Sequence, residues 1–271
     1  MEENALNLQT FIVMLLFAGQ CSGVRMVELL IPDQVLLGER AVLQCLYDLE
    51  GEELYSVKWY KQGQEFFRYI PGDREQKIVT FSLPGIFVEK MNSNANRVTL
   101  RNVNLGSTGR YRCEVSAEAP LFNTVSQSKR MQIVAMPRAG PRISGGRGGY
   151  SVGDLVHLNC TSDKSHPAAN LTWKINNQPV NGHLLHHYPV IKHESGLETS
   201  ILGLEFKVFQ DHLIGDSMEL DLKCTSSLTF TASSQNTELR RQHLETARLV
   251  SSALRNTGVF LLLPIILFFY F

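Results

Sequence analysis

Two tryptophans occur in this chain of 271 residues, and each stands inside a pair of cysteines at nearly the same spacing. Trp59 follows Cys45 by 14 residues, and Cys113 lies 68 residues beyond Cys45. Trp173 follows Cys160 by 13 residues, and Cys224 lies 64 residues beyond Cys160. Four cysteines can pair in three ways, and the matched spacings select Cys45 with Cys113 and Cys160 with Cys224. Around each marker the apolar residues recur with period two. Ala41, Leu43 and Cys45 alternate with Val42 and Gln44, and Tyr55, Val57 and Trp59 with Ser56, Lys58 and Tyr60. Val156, Leu158 and Cys160, then Leu171, Trp173 and Ile175, then Leu202, Leu204, Phe206 and Val208, and finally Met218, Leu220, Leu222 and Cys224 repeat the pattern. Period two means strands with one buried face.

A cysteine bridge joining two sheets, with a tryptophan packed against it, is the mark of the immunoglobulin sandwich. The expected fold is therefore all-β, two tandem immunoglobulin-like β-sandwiches, the first V-type and the second divergent. Tyr111, two residues before Cys113, occupies the tyrosine-corner position. Ser107 stands where an aspartate is usual, so the ion pair which that aspartate makes is lost. In the second repeat Leu222 replaces the corner tyrosine. The expected boundaries are 27–136 for the first domain, 137–149 for a Pro- and Gly-rich linker, 150–238 for the second domain and 239–257 for a polar stalk. Bridges of this kind require an oxidising compartment.

The apolar run Phe11 to Ala18 is too short to span a bilayer and is followed by small and polar residues, which reads as a secretory signal over 1–23 that removes the fifth cysteine, Cys21. Glu2 and Glu3 stand where such signals carry positive charge. The stretch Val259 to Phe271 is also apolar and contains Pro264. As a helix it would reach about 20 Å, short of the ~30 Å hydrocarbon core. With the small residues Ser251, Ser252 and Ala253 before it, residues 258–271 read as the signal for a glycosylphosphatidylinositol lipid, attached at Ser251. A short single-pass anchor and a secreted form are the alternatives.

Lys plus Arg total 26 and Asp plus Glu total 26, so the chain has no net charge and a pI near 7.1. No global field gathers nucleic acid or an anionic membrane, and partners are to be found by local shape and charge. The single Gly145-Gly146-Arg147-Gly148-Gly149 run reads as a turn rather than an RNA-binding tract. His183, His186, His187 and His193 match no zinc spacing and read as a solvated loop. No nucleophile elbow, HExxH helix or phosphate loop is present. An enzyme, a cofactor and a small-molecule substrate are not expected.

The strings Leu54-Tyr55-Ser56-Val57-Lys58-Trp59-Tyr60-Lys61, Glu65-Phe66-Phe67-Arg68-Tyr69, Cys113-Glu114-Val115-Ser116-Ala117-Glu118-Ala119-Pro120 and Asn159-Cys160-Thr161-Ser162 resemble the beaten-path family of insect immunoglobulin-superfamily neuronal proteins. The resemblance runs from about Val27 to about Cys224. It implies a secreted or membrane-anchored protein that binds cell-surface immunoglobulin proteins of the sidestep family in axon guidance and neuronal partner matching. A homophilic adhesion molecule and a secreted anti-adhesive antagonist are the other readings.

Parity selects a face for such a partner. With Trp59, Tyr111, Cys113 and Val115 inward, Lys58, Tyr60, Arg112 and Glu114 point outward. On the next strand Phe66, Phe67 and Arg68 follow one another, and alternation requires at least one phenylalanine to face out. Exposed aromatics and arginine are common interface anchors. Two sequons, at Asn159 and Asn170, fall in the second repeat and none in the first, which leaves the first domain bare for a protein partner.

Overall fold

Strands with one apolar face bury it by closing two sheets over a shared core about 10 Å thick. The computed structural model describes residues 23–120, 122–213, 219–234 and 237–252, with side chains described as far as residue 229, and divides into two units, one for each Cys, Trp, Cys repeat. Both are all-β immunoglobulin-like sandwiches.

In the first, strands β1 (Arg25–Leu30), β3 (Ala41–Asp48) and β7 (Arg97–Leu100) form one sheet in the order β1-β3-β7. The facing sheet has the order β2-β9-β8-β4-β5-β6, from β2 (Gln34–Leu36), β4 (Leu54–Lys61), β5 (Gln64–Tyr69), β6 (Ile78–Thr80), β8 (Gly109–Ala117) and β9 (Thr124–Val134). β2 runs parallel to β9, and β5 and β6 extend the sheet beyond β4, which makes this domain V-type. The Cys45–Cys113 disulfide joins β3 to β8, and Leu43, Val57, Trp59, Tyr111, Met131 and Ile133 are buried around it.

Two bulges reset the alternation. The pairing of β4 with β8 slips between Leu54 and Ser56, so Ser56 is buried and Tyr55 is 44% exposed, the reverse of the expected parity. The pairing of β4 with β5 slips between Trp59 and Tyr60: Trp59 faces Phe67 while Tyr60 faces Glu65, leaving Phe66 as the extra residue. A bulged residue turns its side chain to the same side as its neighbour. Phe66 and Phe67 are consequently both fully buried, Phe66 edge-on to Tyr111 at 6.0 Å. Neither can meet a partner, which corrects the expectation that one of them faces out.

In the second unit one sheet has the order β10-β11-β17-β14, from β10 (Arg142–Ser144), β11 (Leu155–Thr161), β14 (Leu185–His187) and β17 (Ile201–Lys207). The other has the order β13-β12-β18-β19, from β12 (Asn170–Ile175), β13 (Gln178–Pro179), β18 (Glu219–Ser234) and β19 (Thr237–Ser252). A small ribbon pairs β15 (Ile191–Lys192) with β16 (Glu198–Thr199). The strand next to β12 is only two residues long, so this sandwich is close to the constant type. Its Cys160–Cys224 disulfide lies among Leu158, Trp173, Leu204, Leu220 and Leu222.

Three expectations of extent change. β10 lies inside the stretch read as linker and pairs with β11, Ile143 opposite Cys160. β19 occupies most of the polar stretch read as stalk. His186 and His187 belong to strand β14 rather than to a loop. The signal-peptide stretch through residue 22 and the apolar tail 258–271 lie outside the described residues. Among the described residues no helix is long and apolar enough to cross a membrane.

Candidate functional site

The outer surface of the six-stranded sheet is built by register. Lys58 on β4 pairs with Glu114 on β8 and with Arg68 on β5, and Tyr60 pairs with Arg112. Side chains on one face of paired strands meet directly across the ladder, so these five residues form one patch.

Glu114 is its centre. Its carboxylate accepts a hydrogen bond from the Tyr60 hydroxyl at 3.0 Å and lies 3.9 Å from Lys58 Nζ and 3.5 Å from Arg112 Nη2. The Arg112 guanidinium stacks on the Tyr60 ring, 4.3 Å from its centroid. Partial burial, reinforced by the bond to Glu114, pushes the Tyr60 phenol up to about 12, so it remains a donor at neutral pH. Beside this cluster Arg68 makes a bidentate pair with Glu65, at 2.7 and 2.9 Å, and lies 5.6 Å from the Phe81 ring. The hydrogen bond to Glu65 raises the Arg68 guanidinium further, against the opposing effect of burial. Tyr55, three residues before Lys58 on β4, is exposed.

The patch holds three cations, Lys58, Arg68 and Arg112, against two carboxylates, Glu65 and Glu114. Glu114 is 19% exposed while Arg112 is 43% exposed, so the carboxylate is enclosed and the guanidinium is presented. Such a surface offers a cation and aromatic rings to an incoming carboxylate or carbonyl, with its own geometry already held.

The structure thus brings together Lys58, Tyr60, Arg68, Arg112 and Glu114, and sends Phe66 and Phe67 to the core. Sequence reasoning missed Tyr55, Glu65 and Phe81. Glu65 was legible as the carboxylate three residues before Arg68; Tyr55 was hidden by the bulge. In the second domain Asn159 lies on β11 and Asn170, which is exposed, opens β12 on the other sheet. Ser251 falls within β19. His193 Nε2 sits 3.0 Å from Thr199 Oγ1 and His186 lies against Tyr188. Among the described residues no three His, Cys, Asp or Glu side chains gather as a metal site.

Residues 32–126 match the family described as immunoglobulin domain. The chain is 28% identical over 146 residues to the endothelial cell-selective adhesion molecule of Rattus norvegicus, a match covering 51% of this chain and 37% of that protein. It is 34% identical over 87 residues to the muscle M-line assembly protein unc-89 of Caenorhabditis elegans, covering 32% of this chain and 1% of that protein. The chain therefore spans well under half of either curated relative. Among solved structures, the two-domain fragment described as Rst D1-D2 superposes with a TM-score of 0.53 at 16% identity, covering 84% of this chain and 97% of that one. The last likeness is one of fold, and it extends over two tandem immunoglobulin-like domains.

Proposed function

We propose that this chain is a cell-surface recognition protein that binds a second immunoglobulin-superfamily protein through the outer face of its first domain, working by contact and not by catalysis. The partner class that the resemblance implies is the sidestep family, in axon guidance and the matching of neurons to their partners. The observation that carries the reading is the Glu114-centred cluster, a pre-formed mixed-charge aromatic patch on a V-type sheet. Adhesion molecules among the relatives support the same class of role.

The patch is organised before a partner arrives, so little side-chain entropy is lost on docking. Its exposed arginine and tyrosines are of the residue types that dominate binding energy. Removing Glu114 frees Tyr60, Lys58 and Arg112 together. The expected loss for Glu114→Ala or for Arg112→Glu is about 2 kcal/mol or more, roughly thirtyfold in affinity. The measurement is a titration of folded ectodomain variants against the partner ectodomain, found by screening cell-surface immunoglobulin proteins. If first-domain variants bind as wild type does while second-domain variants such as Lys174→Glu fail, the assigned face is wrong. Binding of the chain to itself alone would favour the homophilic reading.

The apolar composition of residues 258–271, interrupted by Pro264 and preceded by Ser251, supports attachment through a glycosylphosphatidylinositol lipid. Phosphatidylinositol-specific phospholipase is then expected to release the protein from expressing cells. Retention at the surface after treatment would point to a spanning tail.

A further inference from the structure

We propose that Asn159 carries an N-linked glycan whose first sugars rest on a shelf formed by Tyr188 and His186, which close over the buried Gly203 on the outer face of the second domain. The proposal rests on the extracellular reading above.

Cys160 is buried, so its neighbours on β11, Asn159 and Thr161, both turn to the outer face of the sheet, which keeps the two sequon side chains on one side. Asn159 pairs with Gly203 on β17, and Gly203 pairs with His186 on β14. Three side chains converge on that glycine. A Cβ at position 203 would lie 3.1 Å from His186 Cβ, 3.3 Å from Asn159 Oδ1 and 3.3 Å from Tyr188 Cε2. These side chains already fill the space above Gly203, so even an alanine there would crowd them.

Asn159 Oδ1 is buried and has no hydrogen-bond partner among the described residues. The amide therefore turns its oxygen toward the sheet and its nitrogen, the atom that takes a sugar, away from it. The Tyr188 ring stands edge-on to His186 at 4.5 Å, and the residue is 36% exposed. Aromatic rings bury large apolar area and pack against the C–H faces of pyranoses as against other apolar surface. A glycan on Nδ2 would cover a patch that otherwise faces water. In the transfer, the reducing-end carbon of an oligosaccharide forms a bond to Nδ2. Its bond to the oxygen of a lipid-linked pyrophosphate donor breaks, and the amide proton leaves as the pyrophosphate departs.

Asn170 and Thr172 are exposed on β12, in the opposite sheet, and form the second sequon. Asn170 pairs with Ser227 on β18, not with a glycine, so it serves as the internal control.

The test uses the full chain produced in a secretory cell line, with peptide mass spectrometry at each sequon before and after enzymatic release of N-glycans. Glycan on Asn159 is expected, lost in Thr161→Ala. Under native conditions the Asn159 glycan is expected to be released more slowly than the Asn170 glycan, a difference that disappears on denaturation and in Tyr188→Ala. Equal native release rates in the wild-type chain overturn the shelf, and need no variant to fold. A bare Asn159 beside an occupied Asn170 overturns the site and leaves the extracellular reading standing. Both asparagines bare on a chain retained in the cytosol overturn the extracellular reading itself.

Discussion

Beneath the second-cysteine strand the two domains solve the same problem with different chemistry. In the first, a short turn at Leu105–Ser107 precedes β8, and the Tyr111 hydroxyl reaches back to donate to Ser107 O at 2.6 Å. In the second, the matching turn at Gln210–His212 precedes β18, Leu222 holds the tyrosine position, and the lock comes from across the sheet. Asn176 Nδ2 donates to His212 O at 2.7 Å, and Asn176 Oδ1 accepts from Asp221 N at 3.0 Å. Asn176 sits in the two-residue turn between β12 and β13 at φ +48, where asparagine is tolerated, and Gln62 holds the equivalent turn in the first domain at φ +49. The tryptophans differ too: Trp173 Nε1 donates to Leu202 O at 3.0 Å, whereas Trp59 Nε1 is buried without a partner among the described residues. The bridge and the hairpin are common to both. The device that ties the turn to the sheet differs between them, and in the second domain a polar residue elsewhere takes over where the corner tyrosine is lost.

The bridges should prove equal if this account is right. They close loops of 68 and 64 residues, and the chain-entropy model assigns each roughly 4 kcal/mol. Denaturant unfolding of Cys45→Ala/Cys113→Ala and of Cys160→Ala/Cys224→Ala should show matching losses, each confined to its own domain's transition. A much larger loss in one domain would mean that its other contacts are not independent of the bridge.

The locks are the next largest effect. Tyr111→Phe leaves Ser107 O without its buried donor, and Asn176→Gly, which keeps the positive φ, removes the side-chain bonds to His212 O and Asp221 N; each should cost about 1–3 kcal/mol. Leu222→Tyr should not transfer the corner to the second domain, because the fully buried leucine has no room for the larger ring. Thermal unfolding of the three variants checks this. If Asn176→Gly is neutral, the second domain's lock lies elsewhere.

How far these features could be read in advance follows from what side-chain pattern encodes. The distance between two packed sheets constrains where a bridge and its tryptophan can stand, so four cysteines and two tryptophans suffice for the architecture. Simple alternation placed Lys58, Tyr60, Arg112 and Glu114 on one outer face, where the structure has them. Alternation fails at a bulge, and a bulge is a backbone event that no residue at Tyr55 or Phe66 announces. One bulge brought a second phenylalanine into the core, and the other turned a tyrosine to the solvent. Strand β10 was hidden for a different reason: Arg142–Ser144 lies between Pro141 and a glycine run, and it is a strand because β11 offers an edge, not because its own residues prefer one. Asn176 was hidden because its partners lie 36 and 45 residues away.

Alkali should separate the domains. Tyr47 and Tyr60 ionise near 12 instead of 10, the first because burial and the nearby Tyr69 disfavour the anion, the second because of burial and Glu114, and burial raises Tyr111 further still. A phenol whose folded value is raised contributes stability that is complete below its unfolded value and is lost as pH rises through the folded one. All three lie in the first domain, so its stability should fall from about pH 10 upward. Keeping one tryptophan reporter at a time, with Trp173→Phe or Trp59→Phe, lets fluorescence follow each domain. Loss of the Trp173 signal before that of Trp59 would reverse the assignment.

The smallest effect lies on the acid side and belongs to the second domain. Burial pushes the Asp163 carboxyl up, but backbone N–H groups of Lys164, Arg138 and Ala139 outweigh it and hold the group below its ordinary value. The bonds from Arg138 N and Ala139 N, at 2.9 and 3.1 Å, tie the chain just before β10 to the end of β11. A carboxyl whose folded value is depressed contributes stability present above its unfolded value and lost as pH falls through the folded one. The group is partly exposed, so solvent screening keeps its contribution to at most about 1 kcal/mol. Asp163→Asn retains one accepting oxygen and removes the charge, so it should flatten the acid limb of the second domain's stability, read through Trp173, without changing the first. An unchanged acid limb would mean that the backbone bonds hold the segment equally well with a neutral acceptor.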